Sequence, residues 1–233
     1  MSRLPALLLA PIVRRQAARL RAEVARLPEA RGAHDGLIGT GSGHPLRVLV
    51  VGDSTAVGTG VATLDDAIPG RLARLLGGDA LKPRSVAWRA VGRSGATSAE
   101  LLEGFAAAAV AAHFDLAIVV VGWNDVLRLR SAGEFGRKLG ALLDRLHAGS
   151  PDARLVVVAP PQFGRFAALP NPLRWALGRH ALGLTRRAAR VARSHGAALA
   201  PGFDGRSVAS DGLHPNARGY QLLAEAIALV SVD

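Results

Sequence analysis

The chain has 233 residues, 49% of them apolar, with 29 Lys and Arg against 18 Asp and Glu and a formal charge of +11. That length is enough for one domain with a substantial core, and that apolar content excludes disorder for the bulk of the chain. No cysteine is present, which excludes disulfides and cysteine-held metals.

Residues 1–31 carry seven Arg against Glu23 and Glu29. The run from Leu4 to Val13 looks like a weak signal peptide, but Pro5 and Pro11 interrupt it and Arg14 and Arg15 close it. The preferred reading is a basic amphipathic helix over 12–27, with Ile12, Leu20, Val24 and Leu27 among its apolar positions. It is expected to pack on the domain, with peripheral membrane contact as the alternative. No apolar stretch reaches the roughly 18 residues of a spanning helix. A cytoplasmic protein, or a membrane-peripheral one, is therefore expected, with a periplasmic or secreted location left open. Residues 32–46 contain Gly32, Gly36, Gly39, Gly41, Gly43 and Pro45 and read as a Gly/Pro-rich linker. The main domain is then 47–233.

Within it, apolar runs alternate with helix-period segments. Strands are expected at 47–52, 85–91, 115–121 and 154–159, with a weaker one near 197–200. Helices are expected over about 66–77, 98–112, 132–149, 173–195 and 216–230, and Thr97 with Glu100 fits a capping box. Alternation of this kind implies βαβ units, a parallel sheet covered on both faces, and a three-layer α/β/α, doubly wound fold. From Arg165 to Arg193 there are seven more Arg and no acid. No nucleic-acid motif accompanies the basic stretches and aromatics are scarce, so no nucleic-acid partner is expected.

Sites in such sheets form at the carboxyl ends of the strands. Ser54 follows the first strand in Gly52-Asp53-Ser54, Gly92 to Gly95 follow the second, and Gly122-Trp123-Asn124-Asp125 follows the third. Far away in sequence lies Asp211-Gly212-Leu213-His214-Pro215. A serine hydroxyl needs an adjacent base to act as a nucleophile. His214 can take the Ser54 proton through one ring nitrogen while Asp211 holds the other. Pro215 would start the last helix at its first position; read alone, the motif also fits a plain turn and helix start. Asp53 is a competing carboxylate, but neighbouring side chains leaving a strand diverge. The Ser54 N–H, the Gly95 N–H and the Asn124 amide can receive a developing oxyanion. Gly95 and Asn124 in isolation also fit a strand-to-helix turn and a local cap. The G-x-S-x-G elbow, Walker A, dinucleotide and HExxH patterns are missing, and the remaining histidines lack ligand spacing. Neither a cofactor nor a metal is expected.

Four blocks, GDSTAVGTG, GRSGATS, VVVGWNDV and DGLHPNARGY, together resemble the SGNH, or GDSL-type, esterases and lipases, in family order from residue 47 to about 225. The resemblance implies Ser54 as nucleophile, Gly95 and Asn124 in the oxyanion hole, and Asp211 with His214 completing the triad. It also implies a flavodoxin-like sheet of about five parallel strands. Two departures stand out. Ala90-Val91-Gly92-Arg93 lacks the Asn that many members place before the second-block glycine, and Trp123 stands where smaller residues are common.

Trp123 either walls an acyl pocket or packs on a neighbouring loop. The stretch 160–180 is a candidate acyl wall or lid through Phe163, Phe166 and Trp175. The expected activity is hydrolysis of short- to medium-chain carboxylic esters, the partner being a small-molecule or lipid ester. An SGNH-type acyltransferase or deacetylase on glycans or lipids is the first alternative. A membrane-associated binding protein with a vestigial site is the second.

Overall fold

The computed structural model describes residues 8–41, 43–78 and 84–231. Its centre is a six-stranded sheet. The strands are β1 (Asp35–Ile38), β2 (Leu46–Gly52), β3 (Val86–Gly92), β4 (Leu116–Val120), β5 (Arg154–Val158) and β6 (Ala198–Ala200). Their order is β1-β3-β2-β4-β5-β6, with β1 antiparallel to β3 and all other pairs parallel. The five parallel strands are those expected. Taken alone they run second, first, third, fourth, fifth, which is the flavodoxin-like order. Val50, Val51, Ile118, Val119, Val156 and Val157 are fully buried. These strands are covered on both faces, so they appear in sequence as unbroken apolar runs rather than alternating ones.

The helices are α1 (Ala10–Glu23), α2 (Ile68–Gly77), α3 (Ser98–Gly104), α4 (Ala106–Ala109), α5 (Trp123–Leu127), α6 (Ala132–Gly149), α7 (Leu173–Ser194) and α8 (Ala217–Ser231). One layer is formed by α2 packed on α8, and the other by α3 and α4 on α6 and α6 on α7. This is the three-layer α/β/α arrangement. Thr97 caps α3 as expected: its hydroxyl takes the Glu100 N–H while the Glu100 carboxylate takes the Thr97 N–H. The Thr97 hydroxyl and N–H, with Arg128 beyond them, hold the Glu100 carboxyl down to about 2.

Three local differences from the sequence reading have physical causes. The stretch 32–46 is not a plain linker, because it contains β1, which extends the sheet beyond five strands as an antiparallel edge. Gly36 is required there, since a Cβ would meet the Trp88 indole at 2.7 Å. The first helix starts earlier and ends earlier than expected. Pro11 sits in its first turn, where a missing N–H costs nothing, and the backbone is already extended at Val24. The helix expected over 98–112 breaks at Phe105 into α3 and α4.

The N-terminal segment is integrated with the domain. Gln16 in α1 donates to the Asn171 carbonyl at 2.6 Å and accepts the Leu173 N–H at 3.0 Å, while Val13 is buried. Further on, Ala30 N–H donates to the Val57 carbonyl and Arg31 N–H to that of Ala62. Among the described residues no helix is long and apolar enough to cross a membrane.

Candidate active site

Glycines draw the carboxyl ends of β3, β2 and β4 together. A Cβ on Gly92 would strike the Gly52 carbonyl, and one on Gly52 would strike that of Val120. The Asp53 N–H donates to Val120 O at 3.0 Å and the Arg93 N–H to Gly52 O at 3.3 Å, so three turns leave the sheet side by side. They carry Ser54, Gly95 and Asn124. This is the switch point of the strand order, where the crossovers diverge to opposite faces.

The fourth component arrives from just before α8. His214 Nε2 lies 3.0 Å from Ser54 Oγ, and His214 Nδ1 lies 2.5 Å from Asp211 Oδ2. The carboxylate fixes the tautomer: Nδ1 carries the proton, and Nε2 is left to accept from the serine hydroxyl. Asp211 is itself held, because its Oδ1 accepts the Leu213 and His214 N–H groups at 2.9 and 3.0 Å. Burial pushes its carboxyl up, but the His214 bond and these two N–H groups outweigh it and the net shift is downward. It therefore stays ionised beside the imidazole.

Pro215 does not open α8. The helix begins at Ala217, after Asn216, whose Oδ1 accepts the Gly219 N–H at 3.0 Å and whose Nδ2 donates to Val208 O at 2.9 Å. An Asn side chain bonding forward in this way supplies the cap, leaving Pro215 in the loop. The loop is braced from the 59–60 turn. Gly60 has φ +104° and a Cβ there would strike Pro215 O, and the buried Tyr220 hydroxyl donates to Thr59 O at 2.7 Å.

Opposite the triad are donors with nothing to bond. Among the described residues neither the Ser54 N–H nor the Gly95 N–H has a protein acceptor. Gly95 sits at φ +84° with open space where a Cβ would be, so backbone conformation rather than crowding calls for glycine. Asn124 donates one amide hydrogen to Ala96 O at 3.0 Å, which orients the group and leaves the second hydrogen unused.

Sequence reading missed the residues that hold these donors. Glu29 Oε1 accepts the Ser94 N–H at 2.6 Å, and Arg128 donates to Gly95 O at 3.1 Å, so the peptides on both sides of the turn are fixed. Asp125, next to Asn124, accepts the Ser98 N–H and hydroxyl at 3.0 and 2.7 Å and so ties the third turn to the start of α3. Only Arg128 left a signal, one helical turn after Asn124; Glu29 lies 65 residues from Ser94 and left none.

Asp53 does not orient the base. It is 2% exposed and accepts the Thr55 N–H at 3.1 Å, and burial pushes its carboxyl up to about 7. Of the aromatic candidates, Trp123 borders the triad, its ring stacked on His214 with centroids 6.1 Å apart. Phe163 and Phe166 are wholly buried and pack on Trp123, with ring centroids 4.5 and 5.2 Å away. Trp175 is 52% exposed and lines a different groove.

Comparison with known proteins bears on the family and the fold. The GDSL-like Lipase/Acylhydrolase family matches residues 50–222. A GDSL-like esterase of Mycobacterium tuberculosis is 29% identical over 81% of the chain, which spans 62% of that relative's length. An extracellular lipase from Streptomyces rimosus superposes with a TM-score of 0.58 at 18% identity, over 80% of this chain and 99% of the other. An acetylxylan esterase from Geobacillus stearothermophilus superposes with a TM-score of 0.59 at 18% identity, over 83% of this chain and 96% of the other. With the family matching about three quarters of its length across all four blocks, the chain belongs to the GDSL-like lipase/acylhydrolase family.

Proposed function

We propose that the protein is a serine ester hydrolase acting on short- to medium-chain carboxylic esters through an acyl-enzyme. The observation that carries this reading is the unbroken relay from Ser54 Oγ to His214 Nε2 and from Nδ1 to Asp211, facing two unengaged backbone N–H groups. Ser54 Oγ attacks the ester carbonyl as His214 takes its proton. The carbonyl oxygen becomes an oxyanion and is received by the Ser54 and Gly95 N–H groups and the free Asn124 amide hydrogen. Collapse breaks the bond to the alkoxy group, which leaves as alcohol with the proton from His214. Water, deprotonated by the same imidazole, then attacks the acyl-serine; the bond to Ser54 Oγ breaks, Oγ takes the proton back from His214, and the acid is released. Asp211 stabilises the imidazolium in both halves.

The short- to medium-chain part of this reading is supported by Trp123, whose indole stands beside His214 and packs against two buried phenylalanines. A panel of p-nitrophenyl esters from acetate to decanoate tests both statements. Turnover is expected to be highest at the short end and to fall by at least about 10⁴ in Ser54→Ala. Undiminished activity in Ser54→Ala would remove the nucleophile, and a maximum at decanoate would remove the acyl-size reading.

A further inference from the structure

A second cavity, of about 760 Å³, opens beyond the carboxyl ends of β5 and β6 along one side of α7. Its volume is in the ~300–1,000 Å³ range of small-ligand sites. Neither Ser54, Gly95, Asn124 nor His214 lines it. Phe163 is the partition: it contributes to the groove lining and rests its ring on Trp123 at 4.5 Å on the catalytic side.

The groove is apolar along its length and cationic at its edge. Pro160, Pro161, Leu182 and Leu199 line it, and Trp175 and Leu182, two turns apart on α7, remain 52% and 50% exposed. Large apolar side chains left open beside a cavity mark a surface that gains by being covered. Arg165, Arg174 and Arg179 also line it. Among the described residues Arg174 and Arg179 form no ion pair, and the contact of Arg165 with Asp204 is long, at 3.9 Å. Every lining residue falls between Ala159 and Gly202, and the sequence from Ala153 to Phe203 contains no Asp or Glu. The charged side chains that line the groove are therefore all arginines, with Asp204 next to Arg165 as the acid at its edge.

We propose that this groove binds a single-chain amphiphile with an anionic head. The chain lies against Leu182, Leu199 and the Trp175 indole, and its carboxylate or phosphate pairs with Arg174 and Arg179. Guanidinium groups suit such heads because they bond two oxygens at once. A cationic amphiphile gains the same apolar contact but meets repulsion at its head, and a neutral one gains the apolar contact alone.

Isothermal titration of the full chain with sodium dodecanoate below its micelle concentration tests this, using Ser54→Ala so that the binding is independent of catalysis. Expected is saturable one-to-one binding that weakens about two- to fourfold for each methylene removed toward octanoate. Leu182→Asp is expected to weaken it at least about tenfold. Arg174→Glu with Arg179→Glu should do the same for dodecanoate while leaving dodecyl maltoside unaffected. Because these are surface arginines, the double variant keeps the test valid should Leu182→Asp not fold. Equal affinity for dodecyltrimethylammonium, or dodecanoate binding that ignores both variants, would overturn the proposal. So would sedimentation with phosphatidylglycerol vesicles in the absence of any binding of the free acid, since the face would then be a membrane contact.

Discussion

Two carboxylates stand near the nucleophile, and their surroundings drive them in opposite directions. Asp211 accepts three hydrogen bonds and stays ionised, whereas Asp53 is bonded by Thr55 alone and is pushed up to about 7 by burial. An acid that titrates at 3.8 when unfolded and near 7 when folded makes the native state bind more protons across that window. The stability it contributes is complete below the lower value and is lost as pH rises through the upper one. For a fully buried group the loss is on the order of 4 kcal/mol. Asp53→Asn should therefore gain on the parent protein between about pH 4 and about pH 7, with a constant difference above. Urea unfolding of both proteins across that range measures it, and a difference that does not change with pH would refute the assignment. At the same scale, Asn124→Ala should lower kcat about 10²–10³-fold with KM little changed, since the amide is placed for the oxyanion; steady-state kinetics on p-nitrophenyl acetate reads the split. The roles of Asp211 and Asp53 were legible in sequence because adjacency to Ser54 argued against Asp53 as the orienting group. The burial of Asp53 was not legible, because the small cavity beside it is lined by Val120, Val158, Phe203 and Leu223 from four separate segments.

Elements in this protein meet through their ends. Asp125 at the start of α5 holds the first N–H of α3, Glu29 holds the turn before Gly95, and Gly60 leaves room for the loop that carries His214. Gly60→Ala is strained twice, by its φ of +104° and by collision with the Pro215 carbonyl. It is expected to shift His214 and cost about 10² in kcat, since catalytic geometry tolerates displacements well under an ångström poorly. Ester hydrolysis together with thermal unfolding checks this; a variant with parental kcat would show that the loop is not braced there. The long elements were legible because buried parallel strands read as apolar runs and α6 and α7 keep a helical period over 18 and 22 residues. The short ones were not. In β1 the burial alternates over only four residues, and its glycine is set by an indole 52 positions away, so no local pattern records the strand. The cap on α8 was misplaced for a related reason: Pro215 is a good helix starter by propensity, but Asn216 supplies the side-chain bond that defines the end.

At the scale of the whole molecule, parallel strand order accounts for the convergence of the site. The crossover from β2 to β3 and the one from β3 past β2 to β4 lie in opposite helix layers, and the two turns that hold Gly95 and Asn124 flank the one that holds Ser54. Strand and helix alternation was enough to anticipate that arrangement, whereas the role of Gln16, Glu29 and β1 was not, since their partners Asn171, Leu173, Ser94 and β3 lie far away in sequence. The edge strand β1 has a consequence for the chain in concentrated solution. It occupies the outer hydrogen-bonding edge of β3, whose residues include buried Val86, Trp88 and Ala90. A seven-residue strand with that composition is a template for pairing with another chain once uncovered. A truncation beginning at Pro45 should keep the catalytic loops' own sequence yet aggregate at micromolar concentration, as should full-length Gly36→Val, which cannot seat against Trp88. Light scattering after dilution from denaturant reads this; a monodisperse truncated protein would count against it. Four residues in a glycine-rich stretch would then act as a guard on colloidal stability, keeping each sheet closed to its neighbours.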